Sequence, residues 1–120
     1  MAARVLVVDD DEKLAGIVVR ALERAGHSCA VASTGDQALW AMASDRPDAV
    51  VLDVMIPHPG GVEVCRHLRG GGYEGPILVM SARSAPEDQA AARRAGADDF
   101  LAKPFPLADL VERLAELLSR

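Results

Sequence analysis

Aromatic residues are scarce: one Trp, one Tyr and two Phe in 120 residues. A core built on stacked rings is excluded, so Val, Leu and Ala must supply the buried volume. Cysteine is almost as rare. Cys29 falls in an apparent strand and Cys65 in an apparent helix, without metal-type spacing, so neither a disulfide framework nor a cysteine metal site is indicated. Both read as small core or near-core residues. The three histidines, His27, His58 and His67, are unclustered, which argues against zinc. Basic residues are outnumbered and the formal net charge is −5. A nucleic-acid surface on this segment is therefore not expected, because such domains are usually basic. No run approaches the roughly 20 apolar residues of a membrane span, and no signal-peptide pattern opens the chain. The expectation is one cytoplasmic domain over residues 1–120, with no internal repeat or low-complexity tract.

What the chain does contain is an alternation of strand and helix patterns. Val5-Leu6-Val7-Val8 is short, β-branched and apolar on both faces, as a buried parallel strand should be. Asp10 or Asp11 can cap a following helix whose stripe is Leu14, Ile17, Val18, Ala21, Leu22 and Ala25, with Gly26 as its stop. A weaker strand is predicted over 27–32. Ser33 with Asp36 then suggests a capping arrangement for a helix to about Ser44. Ala49-Val50-Val51-Leu52 forms a third strand closing at Asp53, and the turn-rich Pro57-His58-Pro59-Gly60-Gly61 leads to a helix ending near Arg69. Ile77-Leu78-Val79-Met80 closes at Ser81. An Ala-rich helix from Pro86 to Ala95 stops at Gly96, and a fifth strand covers 99–102. Pro106 opens a last helix with Leu107, Leu110, Val111, Leu114, Leu117 and Leu118 on one face. Repeated βα units predict a parallel sheet with helices on both sides, and ligands of such sheets bind beyond the carboxyl ends of the strands.

Polar residues stand at four of those ends: Asp9 and Asp10, Asp53, Ser81 and Lys103. Three carboxylates at one sheet edge repel one another by about 4 kcal/mol per pair at 4 Å and an effective dielectric of 20. A hard divalent cation such as Mg2+, taking oxygen ligands and phosphate oxygens, compensates that charge. Lys103 adds a positive group and Ser81 a neutral donor, the equipment for stabilising a transferring phosphoryl group. Asp53, alone at the central strand, suits the nucleophile, since carboxylates form acyl phosphates. Asp9 and Asp10 suit the metal. Each residue also has a plainer reading: acidic helix starts are often only caps and dipole partners, a strand-end Asp a turn residue, Lys-Pro a loop. His58, on the loop after Asp53, reads as solvated. Asp11 and Glu12 read as ordinary first-turn residues. Joint placement at four strand ends favours a site.

The segments Val5 to Asp11, Val51 to Pro57 with Gly61, Met80 to Arg83, and Gly96 to Phe105 resemble the receiver domain of two-component response regulators. Together they span essentially the whole chain, and their order and spacing are very specific. The resemblance implies an α/β, flavodoxin-like (βα)5 doubly wound sandwich with strand order 2-1-3-4-5. It implies that Asp53 accepts a phosphoryl group from a sensor histidine kinase. It further implies Mg2+ bound by Asp10, Asp53 and the Met55 backbone carbonyl, with Asp9 assisting through water. Ser81 and Lys103 would contact the phosphoryl group, Phe100 would be the switch aromatic, and Lys103–Pro104 would be cis.

Gly96 to Phe105 is most similar to the winged-helix OmpR/PhoB-like subfamily, whose receivers commonly dimerise through helix four, strand five and helix five. Asp98, Asp99, Asp109 and Arg113 match charged positions of that face, whereas Gln89 and Arg93 depart from it. Pro59 and Gly60 also depart from the usual loop, which is expected to be shaped differently. Met55 and Arg83 occupy positions that tune phosphoryl lifetime, and neither orients water readily, so slow self-dephosphorylation is expected. If the chain is part of a transcription factor, DNA binding belongs to another segment.

Three other readings compete with this one. A haloacid-dehalogenase-type phosphatase needs a second Asp where Met55 stands. A flavodoxin-like cofactor carrier needs a hydroxyl-rich loop where this chain has acids. A phosphorylation-independent interaction domain would not require the complete set of site residues.

Overall fold

Five strands and five helices alternate through residues 2–120, the span described by the computed structural model. The elements are β1 Arg4–Val8, α1 Glu12–Arg24, β2 Ser28–Ala32, α2 Gly35–Ser44 and β3 Ala49–Asp53, then α3 Gly61–Gly70, β4 Ile77–Ser81, α4 Pro86–Ala95, β5 Asp99–Ala102 and α5 Leu107–Leu118. All strand pairs are parallel, in the order β2-β1-β3-β4-β5. The fold class read from the sequence is the one observed.

The central strands are apolar on both faces because both faces are covered. Along β1, β3 and β4, alternate residues serve opposite layers. Leu6, Val8, Val50, Leu52, Ile77 and Val79 pack with Ala38 and Met42 of α2, Val64, Cys65 and Leu68 of α3, and Ala92 and Ala95 of α4. Val5, Val7, Val51, Leu78 and Met80 pack with Ala15, Val18 and Leu22 of α1 and Leu110, Leu114 and Leu117 of α5. Edge strand β2 is covered far less, and its Val31 is 53% exposed.

Two local expectations need correction. The buried stripe of α1 is Ala15, Val18 and Leu22, so Ile17 and Ala25 lie on the exposed side; the apolar spacing admitted a face rotated by one position. Helix α2 is capped by Thr34, whose hydroxyl accepts from the Gln37 N–H at 3.1 Å, rather than by Ser33 with Asp36. Gln37, not Asp36, reaches back to the Ser33 N–H at 2.8 Å, because its longer side chain spans the turn. Pro106 opens α5 from the N-cap position, as the sequence indicates. Asp11 is the α1 cap, accepting from the Leu14 N–H, and Gly96 ends α4 at φ 114°, a conformation glycine adopts without a Cβ penalty.

Candidate functional site

Sheet register brings the strand ends together. Val8 pairs with Leu52, so the next residues, Asp9 and Asp53, lie side by side. Asp53 pairs with Met80, and Ser81 with Ala102, immediately before Lys103. Ligand oxygens of Asp9, Asp10 and Asp53 all lie within 4.8 Å of one another. The three carboxylates are not equivalent. Asp9 and Asp53 are buried, 1% and 4% exposed, whereas Asp10 is exposed at the rim.

Lys103 is the counter-charge. Its Nζ donates to Asp53 Oδ2 at 2.7 Å and to Asp9 Oδ2 at 3.1 Å. The second oxygens are held by the backbone: Asp53 Oδ1 accepts from the Met55 N–H and Asp9 Oδ1 from the Asp11 N–H, both at 2.9 Å. Neither buried acid can therefore rotate away without losing bonds at both oxygens. Burial pushes the Asp9 carboxyl above its ordinary range; the Asp11 amide and Lys103 pull it back in part, while the Asp53 charge adds to the rise. Burial alone would lower Lys103, but the bonds to Asp53 and Asp9 outweigh it and its ammonium is held above the usual lysine value.

Ser81 is fully buried at the end of β4, its hydroxyl accepting from the Arg83 N–H at 3.1 Å. Met55 is 49% exposed. It sits on a loop fixed at one end by the bond to Asp53 and at the other by Gly61, whose N–H donates to the Val54 carbonyl at 3.0 Å. A Cβ on Gly61 would lie 2.9 Å from the Val54 nitrogen, so only glycine permits this closure. His58 is exposed on the same loop. Both Lys103–Pro104, as expected, and His58–Pro59 are cis.

The donor set is chemically that of a hard-cation site: clustered carboxylates with one backbone-carbonyl loop beside them, and a single ammonium that leaves the cluster net negative. Among the described residues this is the one cluster of three or more metal-ligating side chains.

Residues 5–115 match the model of the response regulator receiver domain family. The chain belongs to that family. The receiver is 50% identical over 120 residues to the response regulator MprA of Mycobacterium tuberculosis, covering all of this chain and 52% of that protein. MprA of Mycolicibacterium vanbaalenii is equally similar. MprA is an OmpR/PhoB-type regulator, in keeping with the subfamily resemblance. The receiver thus spans about half the length of the curated relatives it matches. Among solved structures, the receiver domain of the Francisella response regulator 1452 superposes with a TM-score of 0.93 at 32% identity, covering 98% of each chain. The BeF3-activated receiver domain of Klebsiella pneumoniae RstA gives 0.92 at 30%, covering 98% of this chain and 99% of that one.

The remaining residues named from sequence lie away from the acids. Phe100 is 5% exposed and packs in the α2–α3–α4 layer. Asp99 is bonded within the chain to Arg113 at 3.3 Å and to Arg93 at 3.5 Å. Asp98 faces inward: its Oδ2 accepts from Arg69 and from the Ile77 N–H, each at 2.8 Å. Arg69 was not singled out from sequence. It also donates to the carbonyls of Tyr73, Gly75 and Gly96, tying the α3–β4 and α4–β5 loops together across the end of the sheet opposite the acids. No local pattern signals that role, because Gly96 and Asp98 lie 27 and 29 residues further along the chain. No helix among the described residues is long and apolar enough to cross a membrane.

Proposed function

We propose that this receiver is a phosphoacceptor switch of a cytoplasmic two-component pathway, taking a phosphoryl group on Asp53 from a histidine kinase. The observation that carries the reading is the Asp53 carboxylate, buried at the end of the central strand, beside two further acids and hydrogen-bonded to Lys103. In the transfer, a carboxylate oxygen of Asp53 forms the new O–P bond as the P–N bond of phosphohistidine breaks. Lys103 holds the acceptor and offers positive charge to the phosphoryl oxygens. Ser81 contributes its hydroxyl once it leaves the Arg83 amide.

Asp10, Asp53 and the Met55 carbonyl would hold Mg2+, with Asp9 behind them. The ion supplies charge neutralisation for the incoming phosphoryl group. Phosphorylation would draw Ser81 toward the site and bias Phe100, changing the face formed by α4, β5 and α5. That face, with Asp99, Asp109 and Arg113, would mediate homodimerisation and control an output, transcription being the one that the winged-helix subfamily resemblance implies. The net negative charge supports a receiver that does not itself bind nucleic acid. Its chemistry is confined to its own phosphorylation and dephosphorylation.

The test is intact-mass measurement after incubation with acetyl phosphate and Mg2+, beside Asp53→Asn and a metal-free control. One added phosphoryl group, dependent on Mg2+ and absent from the variant, is the expected result. No adduct on a folded protein that also fails to bind Mg2+ would favour a phosphorylation-independent interaction domain. No adduct with clear Mg2+ binding would call for a cognate kinase as donor.

A further inference from the structure

We infer that Gly35, at the start of α2, is a positioning residue for the metal-binding loop. This deepens the proposed function and rests on it. The loop from Val54 to Gly60 carries the Met55 carbonyl. Its ends are fixed by Asp53 and Gly61, and its middle is held from outside. Gly35 donates its backbone N–H to the Pro57 carbonyl at 3.1 Å. One of the unpaired N–H groups of the α2 start is thus satisfied by the loop rather than by water. Gly35 is also buried, and its Cα faces the backbone of Pro59. A Cβ there would lie 2.8 Å from both the carbonyl carbon and Cδ of Pro59, and deeper still inside contact with the Pro59 carbonyl oxygen. These are backbone and ring atoms, not the free end of a flexible side chain, so any side chain at position 35 must drive the loop and helix apart.

The displacement cannot be absorbed between them. Ile56, one residue from Pro57 and one from Met55, is 8% exposed and packed in the core layer that also takes Ala38 and Met42 of α2. Close-packed interiors transmit such strain rather than damp it. The shift therefore passes through Ile56 to the Met55 carbonyl, while the Asp53 carboxylate stays pinned by Lys103. Gly35 touches neither the acids nor Lys103; it acts through the loop.

Gly35→Ala, measured in the full chain by Mg2+ titration calorimetry, is expected to weaken Mg2+ binding by roughly 10-fold or more, as loss of an outer support for a metal site does. Phosphorylation from acetyl phosphate should slow at low Mg2+ and recover at saturating Mg2+. Thr34→Ala is the comparison: it removes the cap of the same helix without touching the loop, and should lower the thermal midpoint with Mg2+ affinity unchanged. Wild-type Mg2+ affinity in folded Gly35→Ala would overturn the inference. Equal weakening in Thr34→Ala would overturn it too, since α2 stability would then be the cause. If Gly35→Ala does not fold, Ile56→Val, which thins the packing that couples the start of α2 to Met55, is measured in its place. Weaker Mg2+ binding with helix content retained supports the inference, and unchanged binding overturns it. Failure of the wild type to bind Mg2+ would instead bring down the parent reading along with this one, whereas failure of the variants alone leaves the parent intact.

Discussion

Lys103 Nζ and Asp53 Oδ2 meet at 2.7 Å across 50 residues of sequence. The same ammonium holds Asp9, so one cation serves two carboxylates whose side chains are 0% and 5% exposed. Lys103→Met keeps the length of the side chain and removes the charge. Two buried acids then face each other without a counter-ion. Unfolding free energy in metal-free buffer is expected to fall by about 1–3 kcal/mol, and Mg2+ should restore more stability to the variant than it adds to the wild type. Denaturant titration with and without Mg2+ checks both. The raised Lys103 value fixes the pH window: its contribution is fully present below the ordinary lysine pKa and is lost only as pH rises through the folded value.

Asp9 runs in the same direction with pH, in a lower window. Its carboxyl is raised, chiefly by burial, so between the ordinary and the raised value the folded state binds more protons than the unfolded chain. In metal-free buffer its contribution to stability is therefore favourable on the acid side and declines as pH climbs from about 4 through that window. Mg2+ affinity should run the other way, weakening as acid protonates Asp9. The difference in unfolding free energy between wild type and Asp9→Asn, followed against pH in EDTA, isolates the effect from the other carboxylates. A difference independent of pH would contradict it.

The strand ends were legible because the strands are short apolar runs, each closed by a polar residue, and because parallel register makes those ends converge. Asp9, Asp10, Asp53, Ser81 and Lys103 could be named on that ground. The difference between Asp9 and Asp10 could not. Asp9 and Asp10 are neighbours in sequence, yet one is buried and paired with Lys103 and the other is at the rim, a difference set by where the chain leaves β1. Helix phase was equally underdetermined in α1, where Ile17 and Ala15 satisfy similar spacings and packing against α5 and the sheet chooses Ala15. Gly35 and Arg69 escaped notice because their meaning lies in contacts with Pro57 and Pro59, or with Gly96 and Asp98, far along the chain.

Asp98 and Asp99, adjacent and both acidic, should respond differently to substitution. Asp98→Ala leaves the Ile77 N–H and Arg69 without their shared acceptor at the start of β4. A loss of about 1–3 kcal/mol is expected, seen as a fall of several degrees in thermal midpoint. Asp99 pairs with Arg93 and Arg113, whose side chains are 51% and 41% exposed. Such exposed pairs contribute about 0–1 kcal/mol, so Asp99→Ala should alter stability little. Its effect is expected instead on self-association of the phosphorylated protein, measured by sedimentation. A large stability loss in Asp99→Ala, or none in Asp98→Ala, would reverse these assignments.

Met55 and Arg83 flank the acceptor without supplying a group that orients water. Met55 is 49% exposed and apolar. The Arg83 guanidinium is 67% exposed and lies 3.6 Å from Asp88, directed along α4. A water attacking phosphorylated Asp53 would find no amide or carboxylate here to hold it in line, and such orientation accounts for much of a hydrolytic rate. The phosphoryl group on the wild type should therefore persist for many minutes or longer, and Met55→Asn should shorten its lifetime by on the order of tenfold. Intact-mass spectra at intervals after removal of acetyl phosphate report both decays. Wild-type decay within seconds would contradict this and mean that another group on this rim directs the water.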